Sequence, residues 1–216
     1  MNIKYLLLFL LLSGCSSPEK DFLQCKSEFD NKNYKEAAEL CANTGEEGIA
    51  EAAFISGVIY HQVFDQKDKA FVQYKRAAEF GHIEANYRTG IFLYKGISVP
   101  ENLSESYIYF KKAAEGGHTG AELEMARAYI YHNGFPLGGI APRGLREKTK
   151  WKFEKAMPWL YRAAYKNLAI AQYHLGTLFL EKSGPEYDPA QAMAWFKIAA
   201  ENGQPESKNQ LTRLLE

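Results

Sequence analysis

The segment Ala192-Met-Ala-Trp195-Phe-Lys-Ile-Ala199-Ala200-Glu-Asn-Gly203 decides the fold, because three earlier segments of the chain repeat its pattern. Each copy has a small residue, aromatic residues, an Ala-Ala pair and, three residues later, Gly or Asn. The earlier copies end at Gly81, Gly117 and Asn167, and the Ala pairs are 36, 50 and 36 residues apart. This spacing places the small and aromatic residues on one helical face, and Gly or Asn favours the backbone conformation that ends a helix. The pattern predicts one helix in four copies.

A second pattern comes before each copy and predicts a partner helix. It has an Ala, a Gly or Ala five residues later, and an aromatic residue three or four positions beyond that. It begins at Ala52, Ala85, Ala121 and Ala171. We expect the small residues to lie where two helices cross, with an aromatic ring of the neighbour filling the space. Helix starts are indicated by Asn102 with Glu105 and by Asp188-Pro189.

The two patterns together resemble the Sel1-like repeat, a relative of the tetratricopeptide repeat. The resemblance covers residues 49–207 as four repeats, with a degenerate first hairpin at 20–48 and a capping helix at 208–216. It implies an all-α fold, a right-handed solenoid of stacked antiparallel helix pairs whose concave groove binds proteins. It also implies no catalytic residues, because the signature positions of the repeat are structural.

Two features depart from the regular repeat. The third repeat is longer than its neighbours by an insertion at about 133–152, which is rich in Gly and Pro at first and basic afterwards. Insertions in repeat proteins often bind partners, although a solvated loop with no partner fits the composition equally well. The second feature is Pro158, which we expect to kink a helix or to begin one.

The amino terminus is typical of a bacterial lipoprotein. Lys4 precedes an apolar run of eight residues, which is too short for a permanent membrane span and suits a signal peptide at 1–14. The following Leu12-Ser13-Gly14-Cys15 resembles the lipobox, which implies lipidation of Cys15 and a tether at 15–19. Ser16 after the lipidated residue implies sorting to the outer membrane, with the folded part on the periplasmic side.

The remaining cysteines, Cys25 and Cys41, form an even pair in an oxidising compartment. A disulfide between them would close a loop of roughly 15 residues and contribute about 3 kcal/mol in the chain-entropy model. The alternative is two buried thiols inside a helical hairpin.

Charge and motifs exclude several classes of function. The whole chain has 26 basic and 26 acidic residues, which argues against nucleic-acid binding. None of the five His residues has the spacing of a metal motif, and no phosphate, dinucleotide or nucleophile motif is present, so we expect no metal, cofactor or catalytic residue. His82 and His118 are expected to be structural. Carboxylate pairs such as Glu46-Glu47 and Glu122 with Glu124 are expected to be solvated.

By analogy with tetratricopeptide repeats, the first helix of each pair lines the groove. The residues at the positions that face the groove include several Tyr residues and one central Arg, a composition typical of binding hot spots. The alternative is that the aromatic members only pack between helices. The proposed groove residues are Phe54, Val58, His61, Tyr87, Ile91, Tyr94, Lys95, Leu123, Arg127, Tyr131, Tyr173 and Thr177.

Three functions fit these patterns. The first is a non-enzymatic, lipid-anchored periplasmic scaffold that binds an envelope protein through the groove. The second is an immunity protein that neutralises an antibacterial, phospholipase-type toxin delivered to the periplasm. The third, a β-lactamase-like or penicillin-binding activity, is disfavoured because the chain has no Ser-x-x-Lys.

Overall fold

A computed structural model describes residues 17–131 and 145–216, and every regular element within these ranges is helical. The predicted signal peptide, Cys15 and residues 132–144, which include the first part of the predicted insertion, lie outside the described residues. The eleven helices of the described ranges are α1 (Pro18–Asp30), α2 (Tyr34–Glu46), α3 (Ala50–Val58), α4 (Lys67–Glu79), α5 (Ile83–Lys95), α6 (Leu103–Glu115), α7 (Thr119–Tyr131), α8 (Leu145–Tyr165), α9 (Ala169–Phe179), α10 (Pro189–Glu201) and α11 (Pro205–Leu215).

The chain divides into two compact units after Ala85. In the first unit, α1, α2, α3 and α4 pack consecutively, and α3 continues into a π-helical turn at Ile59–Val63. A disulfide joins Cys25 of α1 to Cys41 of α2, with the Cα atoms 5.1 Å apart. Both residues are fully buried and lie in the same core cluster as Ile55 and Ile59 of the next pair.

In the second unit, each helix from α6 to α11 packs against its neighbour in the chain. The predicted fold class, an all-α array of consecutive helix pairs, is confirmed. The last helix begins at Pro205, earlier than the expected position 208. Pro158 lies inside α8, so it does not begin a helix.

The predicted helix ends are also confirmed. Gly81, Gly117, Gly203 and Asn167 all have positive φ values, between 63° and 91°, in the region where Gly and Asn are best tolerated. At the starts, the Asn102 side chain accepts a hydrogen bond from the Glu105 amide. The Asp188 side chain accepts from the Gln191 and Ala190 amides, which lowers the pKa of Asp188. Local sequence therefore sets these two helix starts and four helix ends.

The helices of a pair cross where the sequence places Gly. A Cβ atom on Gly57 would lie 2.6 Å from the ring of Tyr74, and one on Gly176 would lie 2.6 Å from the ring of Phe196. Gly90 and Phe110 make the same contact in the second repeat, at 2.7 Å. Such distances leave no room for any side chain on the glycine. The ring therefore packs directly on the backbone of the partner helix.

The third repeat has different residues at the same helix crossing. Ala126 stands where the other repeats have Gly, and Leu160 stands where they have a ring. Both are fully buried in one cluster. The extra methyl group of Ala126 is thus matched by a smaller partner on α8.

The expectation that the Glu122 side chain is solvated is wrong, because this side chain is fully buried. Its carboxylate lies 2.8 Å from Nε of Arg162 and 2.9 Å from Nζ of Lys166, both on α8. Arg162 also donates to the carbonyl of Ala114 in the last turn of α6, and Lys166 donates to the carbonyl of Gly117 in the turn before α7. A buried carboxylate requires such compensation, so the network fixes α8 against α7 and that turn.

The contact between Gly176 and the Phe196 ring predicts that one substitution partly compensates for another. Gly176→Ala should lower the free energy of unfolding by about 1–3 kcal/mol, because the new methyl group collides with the Phe196 ring. Adding Phe196→Leu, which copies the third repeat, should cost less than the sum of the two single changes. Urea unfolding of the two single variants and the double variant measures this coupling. Strictly additive losses would contradict the ring-on-glycine account.

Candidate protein-binding surface

Side chains from α7 and α9 converge around one buried histidine in the second unit. The Tyr131 hydroxyl lies 3.3 Å from Nδ1 of His174, and the Tyr173 ring lies 5.8 Å from the His174 ring. Arg127 is 3.2 Å from Glu124 one turn earlier on α7. We call Glu124, Arg127, Tyr131, Tyr173 and His174 the α7–α9 surface. It unites three predicted groove residues with two residues that the sequence did not select.

The α7–α9 surface presents both aromatic and cationic groups to solvent. The Tyr131 side chain is 57% exposed, and the Arg127 side chain is 43% exposed. His174 beneath them is only 7% exposed. Burial, and then the charge of Arg127, lower the pKa of His174 to about 4, so its ring is neutral at pH 7. A neutral His174 ring avoids placing a buried positive charge beside the guanidinium group of Arg127.

Tyr107 of α6 extends this arrangement towards α5. Its ring is buried and lies 6.3 Å from the Tyr94 ring, edge to face. Burial raises the pKa of Tyr107, with smaller contributions from Tyr94 and Glu124, and Arg127 acts in the opposite direction. These electrostatic couplings place Tyr94, a predicted groove residue, in the same polar neighbourhood as Arg127.

Two predicted groove residues instead stack on histidines that cap helices. The Phe54 ring stacks on His82 at 4.3 Å, and the Tyr87 ring stacks on His118 at 4.1 Å. Nδ1 of His82 accepts the Ala85 amide at 3.1 Å, and His118 repeats the same cap on the next helix pair. The structure thus gives both histidines a packing and capping role, which is consistent with the structural role expected from the sequence.

The other predicted groove residues differ in exposure. Leu123 is 7% exposed and belongs to the core, whereas Lys95 is exposed. Val58 and Ile91 are half-buried. In the first unit, the Tyr74 hydroxyl lies 3.4 Å from Nδ1 of His61. These placements leave the group around Arg127 as the most polar and accessible part of the predicted set.

The Thr177 hydroxyl donates to the His174 carbonyl at 2.8 Å. It is half-buried on α9, one turn after Tyr173. His174 could have been found from the sequence only by comparing repeats. The equivalent positions in the other first helices, three places after the Ala, hold Ile55, Arg88 and Glu124, so the position varies and carries no signature.

Within residues 17–131 and 145–216, no group of three or more His, Cys, Asp or Glu side chains is arranged to hold a metal ion. Over the same residues, no helix combines the length and the apolar character needed to cross a membrane.

The family model of the Sel1 repeat matches residues 83–118 and 169–204. These segments correspond to α5 with α6 and to α9 with α10, the second and fourth helix pairs of the repeat array. The chain contains Sel1 repeats. A crystal structure of a Sel1 repeat protein from Oxalobacter formigenes supports the fold, with a TM-score of 0.70 and 23% identity over 88% of this chain and 72% of that one.

Two curated proteins of Schizosaccharomyces pombe are similar over most of this chain. Chitin synthase regulatory factor 3 is 28% identical over 79% of this chain, and chitin synthase regulatory factor 2 is 30% identical over 78% of it. The chain spans only 18% and 33% of their respective lengths. The similarity therefore extends over most of this chain and covers a minor part of each relative.

The buried His174 predicts that stability depends on pH. Its pKa is about 4 when folded and 6.5 in the reference state, so the unfolded chain takes up a proton first as the pH falls. The stabilisation that is present above pH 6.5 should therefore be lost as the pH falls towards 4. Between pH values of about 7 and 5, the free energy of unfolding should fall by about 2 kcal/mol. Urea unfolding at both pH values measures the loss, and His174→Gln should remove most of it. An equal loss in the variant would assign the effect to other groups.

Proposed function

We propose that this chain is a non-enzymatic scaffold, anchored by a lipid on Cys15 at the periplasmic face of the outer membrane. The Sel1 repeat is a protein-interaction fold, and the scaffold would bind its partner protein through the α7–α9 surface. The disulfide between Cys25 and Cys41 supports an oxidising compartment. The lipobox-like sequence that ends at Cys15 supports the anchor.

The observation that carries the binding proposal is the combination of exposure and order at the α7–α9 surface. Tyr and Arg are enriched in binding hot spots. Tyr buries a large area at a small cost in conformational entropy, and Arg forms charge-assisted hydrogen bonds. Here Tyr131 and Arg127 are exposed, yet His174 and Glu124 hold them at defined positions. A partner would gain contact area and charge-assisted hydrogen bonds without having to order a flexible surface.

The lipid anchor gives the first test. Cys15→Ala should abolish incorporation of an alkyne-tagged palmitate in growing cells and should leave the signal peptide attached. Click labelling and gel mobility measure both effects, and Lys155→Gln, a change at an exposed position, serves as the control that keeps Cys15. A membrane-bound protein of mature size from the Cys15→Ala gene would contradict the anchor.

The α7–α9 surface gives the second test. A photo-crosslinking amino acid at Tyr131 should yield a discrete adduct in intact cells, and Arg127→Ala in the same chain should reduce it by about fivefold or more. The matched control places the crosslinker at Tyr165, an α8 residue that is 74% exposed and lies outside the surface.

Equal adducts from Tyr131 and Tyr165 would contradict a specific surface. Identification of the adduct by mass spectrometry also separates the functions that the sequence left open. An envelope protein supports the scaffold, whereas a toxin delivered by a competing bacterium would replace it with the immunity hypothesis.

A further inference from the structure

The first unit contains a cavity of about 290 Å³ between α2, the end of α3 and the start of α4. Its volume is at the lower end of the range for small ligands and suits one or two amino-acid residues. Ala38 of α2 forms part of its wall, and Gln66 lies at its edge. The other lining residues are Lys35, Glu39, Tyr60, Phe64 and Lys69.

A π-helical turn shapes this cavity. The first repeat is short, because Ala52 and Ala85 are 33 residues apart whereas Ala85 and Ala121 are 36 apart. In place of a longer loop, the Phe64 amide donates to the Ile59 carbonyl at 3.2 Å, and the Gln66 amide donates to the Tyr60 carbonyl at 2.8 Å. Wider turns of this kind redirect side chains, and they occur frequently at functional sites.

The turn brings two aromatic rings to one wall of the cavity. The Tyr60 and Phe64 rings lie 6.2 Å apart, and both are half-buried against the core of the first unit. Their remaining exposed faces offer an apolar contact for a side chain entering the cavity. Ala38 of α2 also lines the cavity, and its short side chain adds little bulk.

Two ammonium groups flank these rings. Nζ of Lys69 lies 5.3 Å from the centre of the Tyr60 ring, and Lys35 lies on α2 across the cavity. Among the described residues, neither lysine forms an ion pair, although Glu39 also lines the cavity. The lining carries two positive charges and one negative charge. An anionic group is therefore favoured over a cationic one.

We infer that this cavity binds a peptide segment that presents an apolar side chain next to a carboxylate. The side chain lies against Tyr60 and Phe64, and the carboxylate lies between Lys35 and Lys69. Such a carboxylate belongs either to the carboxyl terminus of a peptide or to an acidic side chain. The cavity consists of residues of the first unit alone. An experiment can therefore disprove binding at the cavity without affecting the proposal for the α7–α9 surface, and the reverse also holds.

Fluorescence anisotropy with the full chain tests this site. The probe is rhodamine-labelled Ser-Gly-Ser-Gly-Asp-Leu with a free carboxyl terminus, and its fully neutral form has Asn in place of Asp and an amidated terminus. We expect the neutral form to bind about tenfold more weakly, since it loses both carboxylates that the lysines attract. Peptides with only one of the two changes show which carboxylate is used. Equal binding of the charged and neutral forms would overturn the inference.

Charge variants complete the test. Lys35→Gln with Lys69→Gln should weaken binding of the charged probe by about tenfold, and Glu39→Gln should tighten it about twofold by removing a repulsive carboxylate. The matched control is Lys26→Gln with Lys155→Gln, which removes the same charge from exposed positions elsewhere. Circular dichroism verifies that all variants are folded. Equal weakening by the control pair, or no weakening by the cavity pair, would overturn the assignment.

Discussion

The close contact between an aromatic ring and a glycine backbone is the constraint on which the rest of the structure depends. In three repeats a fully buried ring of the second helix lies where any side chain on the facing Gly would collide. This contact lets the two helix axes approach closely, and burying such a large ring provides much of the apolar area of each pair. The third repeat keeps the combined volume with Ala126 and Leu160. The conserved quantity within this chain is therefore the space at the crossing rather than the residue type.

Because the crossing fixes each pair, other positions of the first helix are free to vary. The position after the signature Ala shows this freedom most clearly. It holds Glu122 in the third repeat, paired with Arg162 and Lys166, whereas it holds Gln172 in the fourth, which accepts from Asn202. Both side chains are buried, and their partners lie on, or directly after, the second helix of their own repeat. Different polar chemistry thus serves the same purpose once the packing has placed the helices together.

The same freedom produces the two surfaces proposed to bind other molecules. At the α7–α9 surface, a neutral His174 supports exposed Tyr and Arg side chains. In the first unit, a shortened connection and a π-helical turn open a cavity bordered by two lysines. Neither arrangement belongs to the repeating contacts, because each arises where one repeat departs from the others. Function in such an array is therefore expected at the irregular positions, where packing does not dictate the residue.

The sequence alone determined the helical pairs, their ends at Gly81, Gly117, Asn167 and Gly203, and the Gly and Ala crossings, because these depend on backbone geometry and on residue size at fixed spacing. It also paired Cys25 with Cys41 as one of two alternatives. Tertiary structure alone decided that Glu122 is buried, that Phe54 and Tyr87 stack on the capping histidines, and that His174 joins Arg127 and Tyr131. Those contacts join residues from different helices, and the exposure of a side chain depends on what its neighbours cover. No local pattern in the chain encodes that information.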